Sequence, residues 1–390
     1  MNEQETTAFV RDLMTDFAER TGLVGEQHPR RYLWTDAFAV CNFLALEHRT
    51  GDATYRELAQ RRVDQVHHVL GRHRADDPRA GWISGLWEEE GERHPTKGGL
   101  RIGKALTERR PDEPVDERLE WDCDGQYSHY LTRWMHALAR VGRVTAEPRF
   151  IGWAMELAET AVDRFSFGPK SDGPKRVVWK MSIDLSRPLV DAQGRHDPLD
   201  GMVTCLELRS AADAFSEPHT QGLDPQIAVL TTIAENQPLV TADPLGIGGL
   251  LTAAHTLAQL TRAGIQGYGG LLNTLLDEAA PGLEFYARDR DALAMPADYR
   301  LAFRELGLSI GLRAVKRTQE LAAQHPDIFD SVRSLGSRLE RLMPYVPLID
   351  AIEGFWLDPR NRKGATWKEH EDINAVMMAT SLAPEGYLAI

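Results

Sequence analysis

The sequence lacks the features that mark membrane, secreted and nucleic-acid-binding proteins. No apolar run approaches the roughly 20 residues that a membrane helix needs, and the first thirty residues carry acids where a signal peptide needs a basic start and an apolar core. Basic side chains number 45 against 58 acidic ones, and the resulting formal charge of −13 would repel a phosphate backbone. We therefore expect a cytoplasmic protein with no membrane and no nucleic-acid partner.

Cysteine is also scarce. Cys41, Cys123 and Cys205 are too few and too scattered for a disulfide framework, which agrees with a reducing compartment. No CxxC or HxxxH spacing accompanies them, so the pattern does not favour a zinc site. We expect no metal and no organic cofactor.

Apolar periodicity and turn residues divide nearly the whole chain into helices. We predict twelve, at about residues 3–21, 33–49, 53–72, 125–144, 148–165, 198–215, 225–236, 244–262, 269–288, 297–321, 326–355 (broken near Pro344 and Pro347) and 368–382. No linker rich in Pro, Gly or Ser separates them, so we expect a single domain over residues 1–390.

The even-numbered helices are the more apolar ones, as AFAVCNFLAL in the second and INAVMMATSLA in the twelfth show. Helices that are apolar on most sides are buried, whereas the odd-numbered helices are amphipathic. Six buried helices wrapped by six outer ones indicate an all-α fold, the (α/α)6 toroid of six helical hairpins. The competing layout is an open helical solenoid, but the sequence shows no fixed repeat period.

Two long loops interrupt the short turns, at residues 74–121 and 168–196. The second holds VVWKMSIDL, in which Trp179, Met181 and Ile183 alternate with Lys180, Ser182 and Asp184. This alternation predicts a half-buried strand, with the polar residues on the outward face, in a small β-hairpin around residues 176–190. Both loops join an outer helix to the next inner helix, so in a toroid both lie on the rim formed by the N-terminal ends of the inner helices. Loops of this length in a compact domain usually carry function.

The stretch Glu120–Leu138 brings acids, aromatic residues and a histidine to the start of the fourth helix, and similar residues occur at the other inner-helix starts and in the long loops. Aromatic faces beside carboxylates and amides suit a sugar, whose C–H faces stack on rings while its hydroxyls form hydrogen bonds. We predict that a small-molecule saccharide is bound by Trp34, Asp36, Trp82, Trp87, Trp121, Gln126, Tyr127, His129, Trp179, His196, Tyr299, Arg300 and Trp367.

Some of the acids at the helix starts are expected to be caps instead. Asp followed by Pro is typical of an N-cap and the first helical position, so Asp197 and Asp243 read first as caps. Asp122 and Asp124 cannot both cap the fourth helix, and which of them does so is left open. Asp200 is not consumed by capping. His255, in the middle of the most apolar inner helix, is expected to be a satisfied core histidine.

The six-hairpin layout and the acid-and-tryptophan rim resemble the (α/α)6 glycosidases, and also the N-acylglucosamine 2-epimerase superfamily. In the glycosidases a general acid and a base or nucleophile come from the rim. The resemblance implies Asp122 or Asp124 for one of these roles and Asp200 or Glu371 for the other. In the epimerases two histidines of the eighth and twelfth helices handle protons. His370, in TWKEHED, occupies a comparable place, whereas His255 sits too deep.

We therefore predict a carbohydrate-active enzyme, a glycoside hydrolase that uses carboxylate acid/base catalysis on a small oligosaccharide or glycoconjugate. One alternative is a sugar 2-epimerase or aldose–ketose isomerase in which His370 transfers protons. Another is a non-catalytic helical protein that binds a partner through its rim, and for Glu371 the bland interpretation is a solvated acidic face. The sequence does not indicate an oligomeric state.

Overall fold

A computed structural model describes the chain except for residues 169–174, 191, 216–221, 236, 289–292 and 331. Its principal helices are α1 (Glu3–Arg20), α2 (Leu33–Thr50), α3 (Thr54–Leu70), α4 (Ser128–Thr145), α5 (Pro148–Phe165), α6 (Asp197–Phe215), α7 (Asp224–Ala234), α8 (Pro244–Arg262), α9 (Gly269–Arg288), α10 (Ala302–Gln324), α11 (Leu348–Leu357) and α12 (Glu371–Leu382). Shorter helices are Glu88–Arg93, Glu117–Glu120, Pro326–Phe329, Leu335–Leu342, Ala365–Glu369 and Glu385–Leu388. None of the described helices combines the length and hydropathy that a membrane crossing requires.

The described residues fall into two compact units. One consists of Met1–Phe17, Ala45–Gly51 and Pro238–Ile390, and we call it the C-terminal unit. The other consists of Ala18–Leu44 and Asp52–Gln237, and we call it the central unit. The single domain over residues 1–390 stays a prediction.

In the central unit, α4 and α6 are buried on most faces, as the sequence predicted for inner helices. The start of α4 differs from the prediction, because the helix begins at Ser128 and not at residue 125. Gly125 has φ 150°, and a side chain there would meet the carbonyl oxygen of Met181, so the chain turns sharply before the helix. The N-cap position is Tyr127, and neither Asp122 nor Asp124 caps the helix.

The predicted hairpin is present, with shorter strands than the range 176–190 suggests. Strands β1 (Gln126–Tyr127), β4 (Lys180–Met181) and β5 (Pro188–Val190) form an antiparallel sheet in the order β1-β4-β5, and β2 (Ser166–Phe167) pairs with β3 (Arg176–Val177). Lys180 is fully buried, although the alternation placed it outward, because its ammonium donates to the Glu120 carboxylate at 2.8 Å and to the Cys123 carbonyl at 2.9 Å. Part of the predicted loop 168–196, at 169–174 and 191, lies outside the described residues.

In the C-terminal unit, α8 and α10 approach so closely that glycines line the crossing. A Cβ atom on Gly248 would collide with the carbonyl oxygen of Gly307, and one on Gly311 would collide with Gly248. Helix α12 packs on α10 through buried polar contacts, where the Ser381 hydroxyl donates to Glu353 of α11 at 2.7 Å and lies 2.9 Å from the Ser309 hydroxyl. The tenth and twelfth predicted helices start with separate turns, Ala297–Tyr299 and Ala365–Glu369.

Gly248→Ala should destabilise the protein because the added methyl group forces α8 and α10 apart. We expect the free energy of unfolding to fall by about 1–3 kcal/mol, as in other overpacked cores. The matched control is Gly249→Ala, whose Cβ meets nothing within 4 Å and should leave stability unchanged or higher by up to about 1 kcal/mol. Denaturant unfolding of the three proteins tests this, and equal midpoints for the two variants would contradict the packing described.

Candidate functional site

The starts of three inner helices meet in the central unit. The ring of Trp34, from α2, lies 6.0 Å from that of His129 and 5.4 Å from that of Tyr130, both from α4. Helix α4 in turn meets α6, because Nδ1 of His129 lies 3.8 Å from Oδ2 of Asp197. The positive ends of these helix dipoles therefore point at one region, which we call the rim site.

Aromatic rings form one wall of the rim site. Trp179, just before β4, stacks on Tyr127 with ring centres 4.8 Å apart and planes 22° apart. It also lies parallel to His129, at 6.2 Å and 1°, and Trp121 packs edge-on against it at 4.7 Å. The sheet holds this wall in place because the Ser128 amide donates to the Trp179 carbonyl at 3.3 Å. The wall presents flat apolar faces of the kind on which sugar rings stack.

Three polar atoms at the rim site are buried without a hydrogen-bond partner among the described residues. They are the hydroxyl of Tyr127, Nδ1 of His129 and Oδ2 of Asp197. Most buried polar atoms in proteins are paired, and an unpaired one carries a desolvation cost. Three such atoms on adjoining side chains indicate a binding site in which a polar ligand would supply the missing hydrogen bonds.

The surroundings of the Asp197 carboxyl favour its neutral form below about pH 7. Burial and then the charge of Asp200 raise the pKa of Asp197 to about 7, although Arg133 opposes the shift. Arg133 is committed to Asp200, with Nη2 and Oδ2 2.8 Å apart. Burial and then Arg133 lower the pKa of His129 to about 3, so its imidazole is neutral near pH 7. The site thus holds a protonated acid beside a neutral base.

A pair of tyrosines extends the site. The hydroxyls of Tyr32 and Tyr130 are 2.5 Å apart, and the Lys104 ammonium lies 5.5 Å from the centre of the Tyr32 ring. Burial raises the pKa of both tyrosines, so both phenols stay protonated and one hydroxyl donates to the other.

Asp124 has a structural position. It is fully buried and accepts hydrogen bonds from Arg101 at 2.6 Å and from the Gly103 amide at 3.0 Å, which tie the loop 74–121 to the start of β1. Asp122 is exposed. The catalytic role that the sequence offered to one of these two residues stays a prediction.

Several other residues that were predicted to bind the sugar also lie in the central unit, and most of them make contacts within the protein. Asp36 is buried and ion-paired with Arg62 and, at 3.4 Å, with Arg31. The Gln126 amide joins two loops through the Gly98 and Ile183 carbonyls. Trp82 is buried, His196 is half-buried and has a partner, and Trp87 is 86% exposed.

The remaining predicted residues lie in the C-terminal unit. Arg300 is buried in a two-point ion pair with Glu305, Tyr299 is 76% exposed, and Trp367 packs on Trp356 with ring centres 5.6 Å apart.

His370 and Glu371 lie where the short helix Ala365–Glu369 gives way to α12. The His370 ring contacts Phe303 at 5.6 Å, and Glu371 is exposed. The site roles predicted for both stay predictions.

The sequence predicted that the aspartates of both Asp-Pro pairs are N-caps, which is correct for Asp243 and wrong for Asp197. Asp243 caps α8, because its Oδ2 accepts from the Gly246 amide at 3.2 Å. Asp197 is already inside α6, and its Oδ2 accepts no hydrogen bond. His255 is a satisfied core histidine, with Nδ1 2.9 Å from the Thr318 hydroxyl.

The sequence interpretation missed Asp197 and Arg133. The signal for Asp197 was its place three residues before Asp200, which puts two acids in one helical turn where like charges raise a carboxyl pKa. Nothing in the local sequence around Arg133 identified Asp200 as its partner, since the two residues are 67 positions apart.

Comparison with known proteins gives matches only among solved structures. No family model matches the chain, and no curated protein does. An inactive variant of an alpha-1,6-mannanase of Salegentibacter sp. HEL1_6, with two adjacent aspartates replaced by alanine and solved in complex with alpha-1,6-mannotetrose, is similar with a TM-score of 0.51 at 12% identity. The alignment covers 98% of this chain and 99% of that one.

A sugar epimerase from a ruminal bacterium is similar with a TM-score of 0.50 at 8% identity, over 96% of this chain and 98% of that one. The chain has the six-hairpin (α/α)6 toroid fold. The fold class predicted from helix count and apolarity is thereby confirmed. At these identities the likeness concerns the fold alone.

The raised pKa of Asp197 predicts a pH-dependent effect of Asp197→Asn on stability. The folded protein keeps a proton on Asp197 up to pH about 7, whereas an unfolded chain releases it near pH 4, so this group lowers the free energy of unfolding as pH rises between the two values. The amide should remove this loss, so the variant should gain stability relative to the unaltered protein by on the order of 3 kcal/mol between pH 4 and 7. Urea unfolding across this range measures it, with the exposed Asp163→Asn as control. Parallel pH curves for Asp197→Asn and the unaltered protein would refute the assigned protonation state.

Proposed function

We propose that the protein is a glycoside hydrolase that acts on a small oligosaccharide or glycoconjugate at the rim site. The observation that carries the proposal is the buried Asp197 carboxyl, whose Oδ2 has no hydrogen-bond partner among the described residues and lies 3.8 Å from a neutral His129. The fold, shared with a mannanase and a sugar epimerase, supports it.

Asp197 is the proposed general acid. A glycosidic oxygen leaves only when it is protonated, and a carboxylic acid that keeps its proton near pH 7 is the usual donor. Lysozyme illustrates the same device, in which an apolar pocket raises the pKa of one carboxyl. In this chain burial has the larger effect on Asp197 and Asp200 the second.

Asp200 is the proposed second carboxylate. Its Oδ2 accepts a hydrogen bond from Nη2 of Arg133 at 2.8 Å, which fixes the carboxyl in place beside Asp197. A helical turn separates it from Asp197, whose Oδ2 has no hydrogen-bond partner among the described residues, so the two carboxyls of one turn can take different roles. Such a division of roles between two carboxyls is what acid/base hydrolysis of a glycoside needs.

The sugar itself is proposed to lie against the aromatic wall. The exposed parts of Trp179 and Trp121 offer stacking faces, while the Tyr127 hydroxyl and the His129 ring nitrogen are placed to bond with sugar hydroxyls. The ligand would thereby satisfy the polar atoms that the protein leaves without partners.

Asp197→Asn should reduce turnover of a cleavable oligosaccharide by about 10²–10⁴-fold, because the amide cannot donate the proton. A panel of manno- and gluco-oligosaccharides followed by chromatography identifies the substrate first. Asp163→Asn, on the outer helix α5, should retain full turnover. Asp200→Asn should also be impaired, whereas Asp122, Asp124 and Glu371 amide variants test the remaining predicted acids. Full activity of Asp197→Asn would exclude it as the acid.

The epimerase or isomerase alternative has one observation in its favour. A neutral imidazole at His129 beside the protonated Asp197 is an acid/base pair suited to moving a proton at a sugar carbon, and His370 remains the candidate named by the sequence. Incubation of monosaccharides in heavy water decides between the two reactions, since an epimerase places deuterium on the sugar carbon and a hydrolase does not. Deuterium uptake that Asp197→Asn abolishes would replace the hydrolase proposal.

We place the protein in the cytoplasm. The support is that Cys41, Cys123 and Cys205 are all buried free thiols, as in a protein that works under reducing conditions.

A further inference from the structure

Three tyrosines lie together on the α2 side of the rim site, and we call Tyr32, Tyr127 and Tyr130 the tyrosine cluster. The ring centres of Tyr127 and Tyr130 are 5.0 Å apart, and those of Tyr130 and Tyr32 are 5.5 Å apart. The cluster adjoins the aromatic wall, because Trp179 stacks on Tyr127. A sugar bound against that wall would therefore lie beside the tyrosine cluster as well.

The tyrosine cluster carries more donor protons than the protein has acceptors for. Burial raises the pKa of all three phenols, so each keeps its proton. The Tyr32 and Tyr130 hydroxyls are 2.5 Å apart and share one proton, and neither has another partner among the described residues. The second proton of this pair is therefore left over, as is that of the Tyr127 hydroxyl. Two phenol protons are available to a ligand.

A lysine adds a cation to the same surface. The Lys104 ammonium lies 5.5 Å from the centre of the Tyr32 ring, and the side chain is half-buried. Its backbone is held in place, because the Gly103 and Lys104 amides donate to Oδ1 of Asp124 at 3.0 and 3.3 Å. The ammonium itself makes no hydrogen bond or ion pair with the residues that the structure describes. Lysine has three donors and no acceptor, so it increases the excess of donors.

The protein compensates the charge of Lys104 only in part. Burial and, to a lesser extent, the charge of Lys180 lower the pKa of the Lys104 ammonium. Asp122 and Asp124 oppose this shift without direct contact. The Asp124 carboxylate is bound by Arg101 at 2.6 Å, and Asp122 is exposed, where solvent screens its charge. An anion bound beside Lys104 would therefore stabilise its charged form.

We propose that the saccharide bound at the rim site carries an anionic group, a carboxylate or a phosphate, and that Lys104 and the tyrosine cluster bind this group. The ammonium supplies the opposite charge, and the phenols donate hydrogen bonds to the oxygen atoms of the anion. An ionised carboxylate or phosphate brings acceptors and no further donor, which matches a surface rich in donors.

The two acids of α6 leave room for such a ligand. The surroundings of Asp197 favour its neutral form below about pH 7, and Asp200 is hydrogen-bonded to Arg133 at 2.8 Å. The inference rests on the proposed function in one respect, that the rim site binds a saccharide. It names the class of that saccharide and does not depend on the reaction that follows.

Isothermal titration calorimetry of the full chain tests the proposal. The probes are the methyl glycosides of glucose, mannose and galactose, each compared with its uronate and its 6-phosphate, so that the members of a series differ only at C6. We expect at least one anionic probe to bind about tenfold or more tightly than its neutral counterpart, because hydrogen bonds to a charged group are the stronger ones. The comparison of uronate with 6-phosphate identifies the anion.

Lys104→Met should abolish this preference, with the affinity for the anionic probe about tenfold lower and that for the neutral probe unchanged. Lys104→Arg, which keeps the charge, should preserve the preference. The control is Lys97→Met, an exposed lysine of the same loop, which should also preserve it.

The proposal would be overturned if no anionic probe bound saturably, if every anionic probe bound no more tightly than its neutral counterpart, or if Lys104→Met kept the preference. Turnover of neutral oligosaccharides without any preference for anions would refute this inference and leave the hydrolase proposal standing. A preference that requires Lys104, without turnover of any oligosaccharide, would do the reverse.

Discussion

The ion pair between Arg133 and Asp200 joins the early turns of α4 and α6, and the chemistry of the rim site depends on it. Burial and then the charge of Asp200 raise the pKa of the neighbouring Asp197 to about 7, although Arg133 opposes the shift. The same arginine also disfavours a positive charge on His129. Burial, together with the charges of this ion pair, thus favours a carboxylic acid at Asp197 and a neutral imidazole at His129.

Buried ion pairs hold the two long loops in place. These pairs do not contact the three rim-site atoms that lack a hydrogen-bond partner. Asp124 holds the loop 74–121 through Arg101, and Lys180 fixes β4 to Glu120. Removing one partner of such a buried pair leaves an uncompensated charge, so these contacts fix the loop geometry strongly. These contacts also position Trp179, which directly precedes Lys180 and stacks on Tyr127. The aromatic wall is therefore anchored by buried ion pairs of the loops that bear it.

The sequence predicted what depends on local pattern and missed what depends on distant partners. Apolar periodicity gave the principal helices and their inner or outer character, and capping chemistry gave Asp243 correctly. The same capping rule was wrong for Asp197. An Asp-Pro pair has the same sequence whether or not the carboxylate accepts a hydrogen bond from its own helix, and Oδ2 of Asp197 accepts none. The outward placement of Lys180 was wrong because its partner Glu120 is 60 residues away. Pairings of this kind are set by the tertiary structure.

The central claim is that Asp197 keeps its proton up to about pH 7 in the resting protein, and direct titration tests it most closely. Carboxyl ¹³C NMR of aspartate-labelled protein, with Asp197 assigned by the Asp197→Asn variant, reports its protonation as pH is varied. The account predicts a midpoint at about 7, lowered in Asp200→Asn because the repelling charge is gone. A midpoint near 4, or one that Asp200→Asn leaves unchanged, would contradict it.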